Sequence, residues 1–321
     1  MRVGVIHTGA YDRVINRTFN MREWEAYAEN SRDISQAIKT LGHDVVNFSD
    51  GKDVIASIEK YRIDLAWVCS GGIQGRNSIS HLPGILEMLG IPYLGSFPLP
   101  LAIADDKATA KKIVSFCGLP TPPFQILQDF SDELDKNLSF PLMVKPITGM
   151  CSCGVYRVDT EPDLRLRAEQ ISKQYRSSIL VEKYISGRSV SVPVMEISDK
   201  AISLPIVERF FYALDDSTDE ASSAILTHPA STLREKSSFS IDLPESVLTD
   251  LSKFAIELFK CLNLRNFSRF DFQIDEDYTP YFLEANPKPD LTRNSLFAQA
   301  AEKSGIGYEQ LIDIFLMQAK N

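Results

Sequence analysis

The sequence predicts a protein that combines α/β and α+β architecture in two or three domains. Strand and helix signals alternate along residues 1–97, a pattern typical of a parallel sheet covered by helices. The chain has 321 residues, of which 44% are hydrophobic, enough for more than one core. Later in the chain, two strand-like segments carry polar side chains where a sheet usually buries apolar ones.

The N-terminal elements follow one another in a regular order. An apolar strand at 3–6 precedes an amphipathic helix over 23–41, which ends at Gly42, and further strands follow at 44–48 and 65–69. A dehydrogenase would need a glycine-rich fingerprint directly after the first strand, but residues 6–11 hold one glycine. We therefore predict no dinucleotide site. Helical residues 82–89 close this region, and Pro98 and Pro100 mark its boundary.

Composition excludes several classes of partner. The formal charge of −9 argues against nucleic acid or an acidic membrane surface, which are bound through excess lysine and arginine. No leader-like segment and no apolar run of membrane-spanning length is present, so we expect a cytoplasmic protein. The cysteines are Cys69, Cys117, Cys151, Cys153 and Cys261. Because they are odd in number and scattered, we expect reduced thiols.

The central region carries candidate nucleotide contacts. A helix beginning near Asp106 is followed by a strand at 140–146 that ends with Lys145. The glycine-bounded loop 149–155 could donate backbone N–H groups to phosphates, and its Ser152 is a candidate catalytic residue. The next strand, 179–183, ends in Glu182 and Lys183, an acceptor and a donor suited to a purine; the alternative is a surface ion pair.

The two polar strand segments predict a metal-binding hairpin. Arg269 and Asp271 share one face of the first segment, and Glu284 and Asn286 share one face of the second. The polar turn over 275–280 would pair the segments and bring these faces together. Two carboxylates with an amide oxygen suit Mg²⁺, which completes its coordination with water and phosphate oxygens. The alternative interpretation is a solvated hairpin.

The order of these segments resembles the ATP-grasp ligases, and within them the D-alanine–D-alanine ligases. The resemblance runs from the first strand to near the C-terminus. Its segments are 84–96, Asp106-Lys107, Val144-Lys145-Pro146, Val181-Glu182-Lys183, Arg269-Phe270-Asp271, 283–286 and Asn294-Ser295-Leu296. It implies an ATP-grasp fold with an N-terminal α/β substrate-binding domain (1–97), a small central lid (98–186) and a C-terminal catalytic domain (187–321). ATP would bind between the last two.

The resemblance also implies a role for each candidate residue. Lys107 and Lys145 would contact the phosphates, Glu182, Lys183 and the backbone around Ile185 the adenine, and Asp271, Glu284 and Asn286 two Mg²⁺ ions, with Mn²⁺ as an acceptable substitute. Arg269 would stabilise the anionic intermediate, Glu23 would hold the ammonium of the first amino acid, and Ser295 with the Leu296 N–H would hold the carboxylate of the second. Glu25 or Glu29 could serve in place of Glu23. A homodimer is the family expectation.

Departures from the family pattern concern the substrate sites. Ser70 stands where the family has a histidine, Ser189 replaces its ribose-binding acid, and loop 210–220 lacks its lysine. Lys288 and Asp290 replace small residues in the turn beside the second substrate. We interpret the turn as recognising polarity on that substrate, with Lys288 attracting an anionic group or Asp290 an amine.

These observations predict an ADP-forming carboxylate–amine ligase that acts through an acyl phosphate on amino acids or amino-acid-like substrates. One alternative is a genuine D-alanine–D-alanine ligase that tolerates the departures. Another is a nucleotide-binding relative without catalysis. The intact set of Arg269, Asp271, Glu284 and Asn286 argues against this last alternative, because a protein that only binds nucleotide could lose its metal ligands.

Overall fold

The computed structural model of the chain describes residues 1–9, 21–149, 154–213 and 233–319, with the backbone only for 21–27, 212–213 and 233–235. The strands are Arg2–His7 (β1), Asp44–Ser49 (β2), Leu65–Cys69 (β3), Tyr93–Leu94 (β4), Phe124–Leu127 (β5), Leu142–Pro146 (β6), Tyr156–Val158 (β7), Ile179–Lys183 (β8), Arg188–Ile197 (β9), Lys200–Ser203 (β10), Val207–Ala213 (β11), Leu233–Ser238 (β12), Phe267–Ile274 (β13) and Pro280–Asn286 (β14). The helices are Met21–Thr40 (α1), Val54–Tyr61 (α2), His81–Met88 (α3), Pro98–Asp105 (α4), Lys107–Phe116 (α5), Glu161–Tyr175 (α6), Glu245–Cys261 (α7), Leu296–Lys303 (α8) and Tyr308–Gln318 (α9).

The N-terminal sheet is parallel, in the order β2-β1-β3-β4. This arrangement confirms the alternation of strands and helices seen in the sequence. One face packs against α1, and also against α8 and α9 from the far end of the chain, where Trp67 meets Phe315. The other face packs against α2 and α3. Since the strands are parallel, their carboxyl ends bring His7, Asp50 and Ser70 to one edge.

The central sheet is antiparallel, in the order β5-β8-β6-β7. The helix α6 covers one face, and its Leu164 and Ile171 are buried against Leu142, Val144 and Val181 of the strands. Thr160 caps α6 by accepting a hydrogen bond from the Asp163 N–H. This small unit places Lys145 and Glu182 on one face of the sheet as diagonal neighbours, because Lys145 lies opposite Leu180 and Glu182 opposite Met143 in the antiparallel β6–β8 ladder.

The C-terminal sheet has six strands, in the order β12-β11-β9-β13-β14 with β10 beside β9. The helices α4, α5 and α7 supply its apolar cover, in which Phe254 packs on Phe272. Pro98 and Pro100, which the sequence analysis takes as the boundary of the N-terminal region, lie in the first turn of α4. Proline is tolerated there because the first backbone N–H groups of a helix have no intrahelical partner.

A disulfide bond joins Cys117, at the end of α5, to Cys261, at the end of α7. The prediction of reduced thiols is therefore wrong for this pair. The two residues are 144 positions apart, so the sequence gives no sign that α5 and α7 lie side by side. Cys69 is a buried free thiol, and burial raises its pKa to about 12. Cys151 and Cys153 lie outside the described residues.

Within the described part of the chain, no helix has the length and apolarity needed to cross a membrane.

Candidate active site

The predicted hairpin forms from β13 and β14, and its polar residues meet as expected. Asp271 lies opposite Glu284, and Arg269 lies opposite Asn286, in the antiparallel ladder. Residues directly opposite one another project to the same face of a sheet. The β9 strand, on the other side of β13, adds Ser191 opposite Asp271. The structure thus collects two carboxylates, an amide, a hydroxyl and a guanidinium on one face.

Asp271 is the most constrained of these groups. Arg269 donates to both of its oxygens, from Nε at 2.9 Å and from Nη2 at 2.8 Å, and Ser191 Oγ donates at 2.6 Å. Arg209 of β11 adds a further bond from Nη1 at 3.1 Å. Burial alone would raise the pKa of this carboxyl, but the two guanidinium groups and the hydroxyl outweigh it and lower the pKa to about 2. Asp271 is therefore fully ionised at neutral pH.

Glu284 faces Asp271 on one side and Lys107 on the other. The Lys107 ammonium lies 3.2 Å from Glu284 Oε2 and donates to the Gly149 carbonyl at 2.6 Å. Burial raises the pKa of Glu284, and Asp271 raises it further, but Lys107 and other cations bring it below its usual value. A carboxylate pair that needs neighbouring cations to stay ionised suits a divalent ion.

The donor set fits Mg²⁺ because it consists of hard oxygen ligands on one face. Asn286 completes it, with its Oδ1 accepting from the Lys288 N–H at 3.2 Å. Among the described residues, no group of three or more histidine, cysteine, aspartate or glutamate side chains is arranged to hold a metal. The two carboxylates and the amide oxygen could hold such an ion, with its other coordination positions open to water and phosphate oxygens.

The central sheet and α5 together form a buried charge cluster. Glu182 is held between Lys145, at 2.5 Å from Oε1, and Lys111, at 2.8 Å from Oε2. Lys111 also donates to Thr121 Oγ1 at 2.7 Å and to the Phe282 carbonyl at 3.0 Å. The contact with Oε2 is an ion pair rather than a directed hydrogen bond, since this oxygen has no partner of hydrogen-bond geometry in the structure.

Burial disfavours the charged form of each member of this cluster. It lowers the pKa of Lys111 to about 8. Burial would raise the pKa of Glu182, but Lys111 and Lys145 outweigh this effect and lower it. Glu182 is therefore a carboxylate whose charge is matched by two lysines, and its position fixes that of Lys145.

The other predicted nucleotide contacts lie along the chain from the end of β8 to the start of β9. Lys183 is exposed, Ile185 is half-buried, and Ser189 Oγ donates to Gln273 Oε1 at 2.7 Å. Gly187, with φ +136°, passes so close to the Ile274 carbonyl that a Cβ would lie 1.9 Å from its oxygen. Only glycine fits this crossing between lid and sheet. Ser152 lies outside the described residues.

The first-substrate candidates lie at the edge of the N-terminal sheet. Ser70 Oγ donates to Asp50 Oδ2 and accepts from the Gly72 N–H at 2.9 Å, while Gly9 N–H donates to Asp50 Oδ1 at 3.1 Å. The backbone of Glu23 belongs to α1, but its side chain and that of Glu25 lie outside the described residues. Glu29 is exposed.

The second-substrate candidates separate into two groups. Ser295 caps α8, with its Oγ accepting from the Ala298 N–H at 3.1 Å, and Leu296 begins the helix. Asp290 is exposed and accepts from the Thr292 N–H and hydroxyl. Lys288 points away from Ser295 and Asp290. Its ammonium donates to the carbonyls of Ser70 and Ile79, at 2.8 and 3.1 Å, on the side of the N-terminal sheet.

Sequence reasoning missed Lys111, Asp50 and Arg209. Lys111 lies four residues after Lys107, a spacing that places both on one face of α5, and this was the one signal available for it. Asp50 directly follows a parallel strand, as site residues often do. Arg209 lies in a strand whose residues 210–213 had been taken as part of a loop.

Comparison with known proteins agrees with this geometry. The family model described as "D-ala D-ala ligase C-terminus" matches residues 113–317. The D-alanine–D-alanine ligase of Pelotomaculum thermopropionicum is 31% identical over 98% of this chain and 95% of its own. The crystal structure of the D-alanine–D-alanine ligase from Bacillus anthracis complexed with ATP, 25% identical, superposes with a TM-score of 0.77 over 100% of this chain and 97% of that one. The VanG D-Ala:D-Ser ligase from Enterococcus faecalis, 22% identical with a TM-score of 0.80 over 99% of each chain, shares the fold.

Fold and site together define an ATP-grasp enzyme, an ADP-forming ligase that makes a C–N bond using ATP and a divalent metal ion. Within this class, the chain belongs to the D-alanine–D-alanine ligase family.

Proposed function

We propose that this enzyme joins two amino acids or amino-acid-like substrates, a pair other than two D-alanines, through an acyl phosphate. The observation that carries the proposal is the Asp271–Glu284 pair, which faces Lys107 at the junction of lid and sheet. The altered substrate pair is supported by Ser70, whose hydroxyl is bonded to Asp50, and by the charged residues of the Lys288–Asp290 turn.

The first step transfers the γ-phosphoryl group of ATP to the carboxylate of the first substrate. Lys107 and Lys145 neutralise the phosphates, and Glu182 with Lys111 holds Lys145 in place. Asp271, Glu284 and Asn286 would hold two Mg²⁺ ions, or Mn²⁺ in their place, and these ions supply charge neutralisation when bound. Positioning and electrostatics account for most of the acceleration expected in phosphoryl transfer.

The second step is attack of the amine on the acyl phosphate, with loss of phosphate. Arg269 lies where it can donate to the developing oxyanion, from the N–H groups not used on Asp271. The first turn of α8, with Ser295 and the Leu296 N–H, would hold the carboxylate of the amine substrate, because anions are stabilised at a helix N-terminus. We also propose a homodimer in the cytoplasm.

A phosphate-release screen over pairs of L- and D-amino acids and simple amines, with ATP and Mg²⁺, tests this function. We expect phosphate release when a carboxylate and an amine substrate are both present, because acyl phosphate formation needs the first and turnover needs the second. D-Alanine alone should be a poor substrate. Absence of phosphate release with every pair would contradict the proposal.

Synthesis of D-alanyl-D-alanine is the second candidate function. It is favoured by the 31% identity to a D-alanine–D-alanine ligase over nearly the whole chain. Robust formation of this dipeptide in the same screen, detected by mass spectrometry, would select this candidate over the altered substrate pair.

A further inference from the structure

A cavity of about 180 Å³ opens between the metal hairpin and the start of α8. It is lined by Arg209, Arg269, Pro289, Asp290, Leu296 and Phe297. Under the proposed function, on which this inference rests, the amine substrate enters here, because Arg269 and Leu296 both face this space.

Two guanidinium groups from different strands form one wall of the cavity. Arg209 belongs to β11 and Arg269 to β13, with β9 between them in the sheet. Each side chain is only 16% exposed, and both donate to Asp271. Asp271 therefore fixes the two guanidinium groups side by side at the surface of the cavity.

The start of α8 adds N–H donors to the lining. Leu296 and Phe297 lie in the first turn of this helix, where N–H groups have no intrahelical acceptor, and Ser295 Oγ accepts instead from the Ala298 N–H. Among the described residues of the lining, Asp290 is the acidic one, and Thr292 donates to both of its oxygens. The two guanidinium groups and the first turn of α8 therefore offer N–H donors to an anion, while Asp271 and Asp290 offset part of the positive charge.

We propose that Arg209 is a specificity-determining residue for an amine substrate that carries a second acidic group, such as aspartate or glutamate. A substrate with one carboxylate brings a single anion to two guanidinium groups and a helix N-terminus. With that carboxylate at the α8 N-terminus and Arg269 facing the oxyanion, a second acidic group would lie against Arg209. Arginine suits this task because its planar fork binds a carboxylate with two parallel hydrogen bonds.

Amine selectivity of Arg209→Gln and Arg209→Glu, compared with the wild-type enzyme, tests this assignment. The kcat/KM values for aspartate and glutamate are measured against those for alanine and serine, each as both enantiomers, at saturating ATP. We expect the wild type to prefer the acidic amines and Arg209→Gln to lower the acidic-to-neutral ratio about tenfold or more. Arg209→Glu should lower this ratio further, because the new carboxylate would repel the second acidic group of the substrate.

Arg188→Gln is the matched control. It also removes a guanidinium from a buried carboxylate of the same sheet, Glu208, but Arg188 does not line the cavity. The acidic-to-neutral ratio should therefore stay at its wild-type value. A wild-type preference for neutral amines would overturn the proposal. An equal loss of kcat for every amine in Arg209→Gln would also overturn it. That result would mean that Arg209 acts on the phosphoryl group or holds Asp271, rather than selecting the amine.

Calorimetric binding of aspartate, glutamate and alanine to the wild-type enzyme with ADP and Mg²⁺ separates this inference from the proposed function. Tighter binding of the acidic amino acids is expected, and it should be lost in Arg209→Gln. If no pair of substrates released phosphate, the proposed ligase function would be contradicted. The binding experiment would still show whether the cavity prefers acidic amino acids. Equal affinity for the three amino acids would overturn the inference even if the enzyme turned over.

Discussion

At the scale of single residues, Glu284 tests the metal site most directly. Glu284→Gln keeps the shape of the side chain but removes one anionic ligand, so the bound cation and the transferred phosphoryl group lose neutralisation. We expect kcat to fall on the order of 100-fold, with partial recovery at high Mg²⁺. Because the Glu284 side chain is 36% exposed, the thermal unfolding temperature should change little. Near-normal turnover at ordinary Mg²⁺ would show that Glu284 is not a ligand.

The ionisation of Asp271 predicts a pH dependence of stability. Its pKa is lowered from the ordinary value of 3.8 to about 2, so its stabilising contribution is complete above about pH 5 and is lost as the pH falls through 2. The contribution is roughly 2 kcal/mol. Urea unfolding of the wild type and of Asp271→Asn, measured between pH 5 and 2, should show a difference in unfolding free energy that shrinks toward low pH. A difference independent of pH would contradict the assigned pKa.

At the scale of elements, α5 connects the central sheet to the C-terminal sheet through Lys111. This side chain is fully buried and contacts Glu182 of β8, Thr121 and the Phe282 carbonyl of β14. Lys111→Met should raise the KM for ATP about tenfold, and more than it raises the KM values of the other substrates, because Glu182 and Lys145 lose their anchor.

Lys112→Met is the control for this prediction, since Lys112 is the adjacent residue of α5 and is exposed. Its KM for ATP should equal that of the wild type. Equal increases in all three KM values of Lys111→Met would instead indicate a general structural role, and no increase would remove Lys111 from the nucleotide site.

The same elements show what the sequence could and could not predict. The β13–β14 hairpin was predictable because strand periodicity and a polar turn are local signals, and they place Asp271 and Glu284 together without any tertiary information. The position of Lys111 was not predictable, since a lysine in a helix usually faces solvent. Its burial depends on the contact of α5 with β8 and β14. Arg209 was missed for a similar reason: its partner Asp271 is 62 residues away.

At the scale of the whole molecule, the two ends of the chain share one core. The helices α8 and α9 pack on the N-terminal sheet, and Arg265 donates to the carbonyls of Tyr93 and Gly95. Local periodicity cannot predict such contacts, because they join segments about 170 residues apart. Under the proposed function, these contacts position the edge of the N-terminal sheet that borders the first substrate relative to the β13–β14 hairpin.

Lys288 connects the β13–β14 hairpin to the N-terminal domain, next to the residues proposed to contact the first substrate. It lies two residues after Asn286, and its ammonium donates to the Ser70 and Ile79 carbonyls of the N-terminal loop. Ser70 in turn donates to Asp50. Lys288 therefore anchors the loop that we propose to border the first substrate, whereas Asp290 of the same turn lines the cavity that we assign to the second.

Because Lys288 and Asp290 face different regions, variants of these two residues should affect different substrates. Lys288→Met should raise the KM for the carboxylate substrate roughly tenfold, because Ser70 loses its anchor and two carbonyls lose a charged donor. Asp290→Gly should instead alter the discrimination among amine substrates, because it removes the negative charge that the described residues contribute to the cavity lining. Steady-state kinetics with each substrate varied in turn measures both effects, and the KM for ATP should barely change in either variant. If Lys288→Met shifted amine discrimination and left the carboxylate KM unchanged, Lys288 would have to leave the two carbonyls and turn toward the second substrate during the reaction.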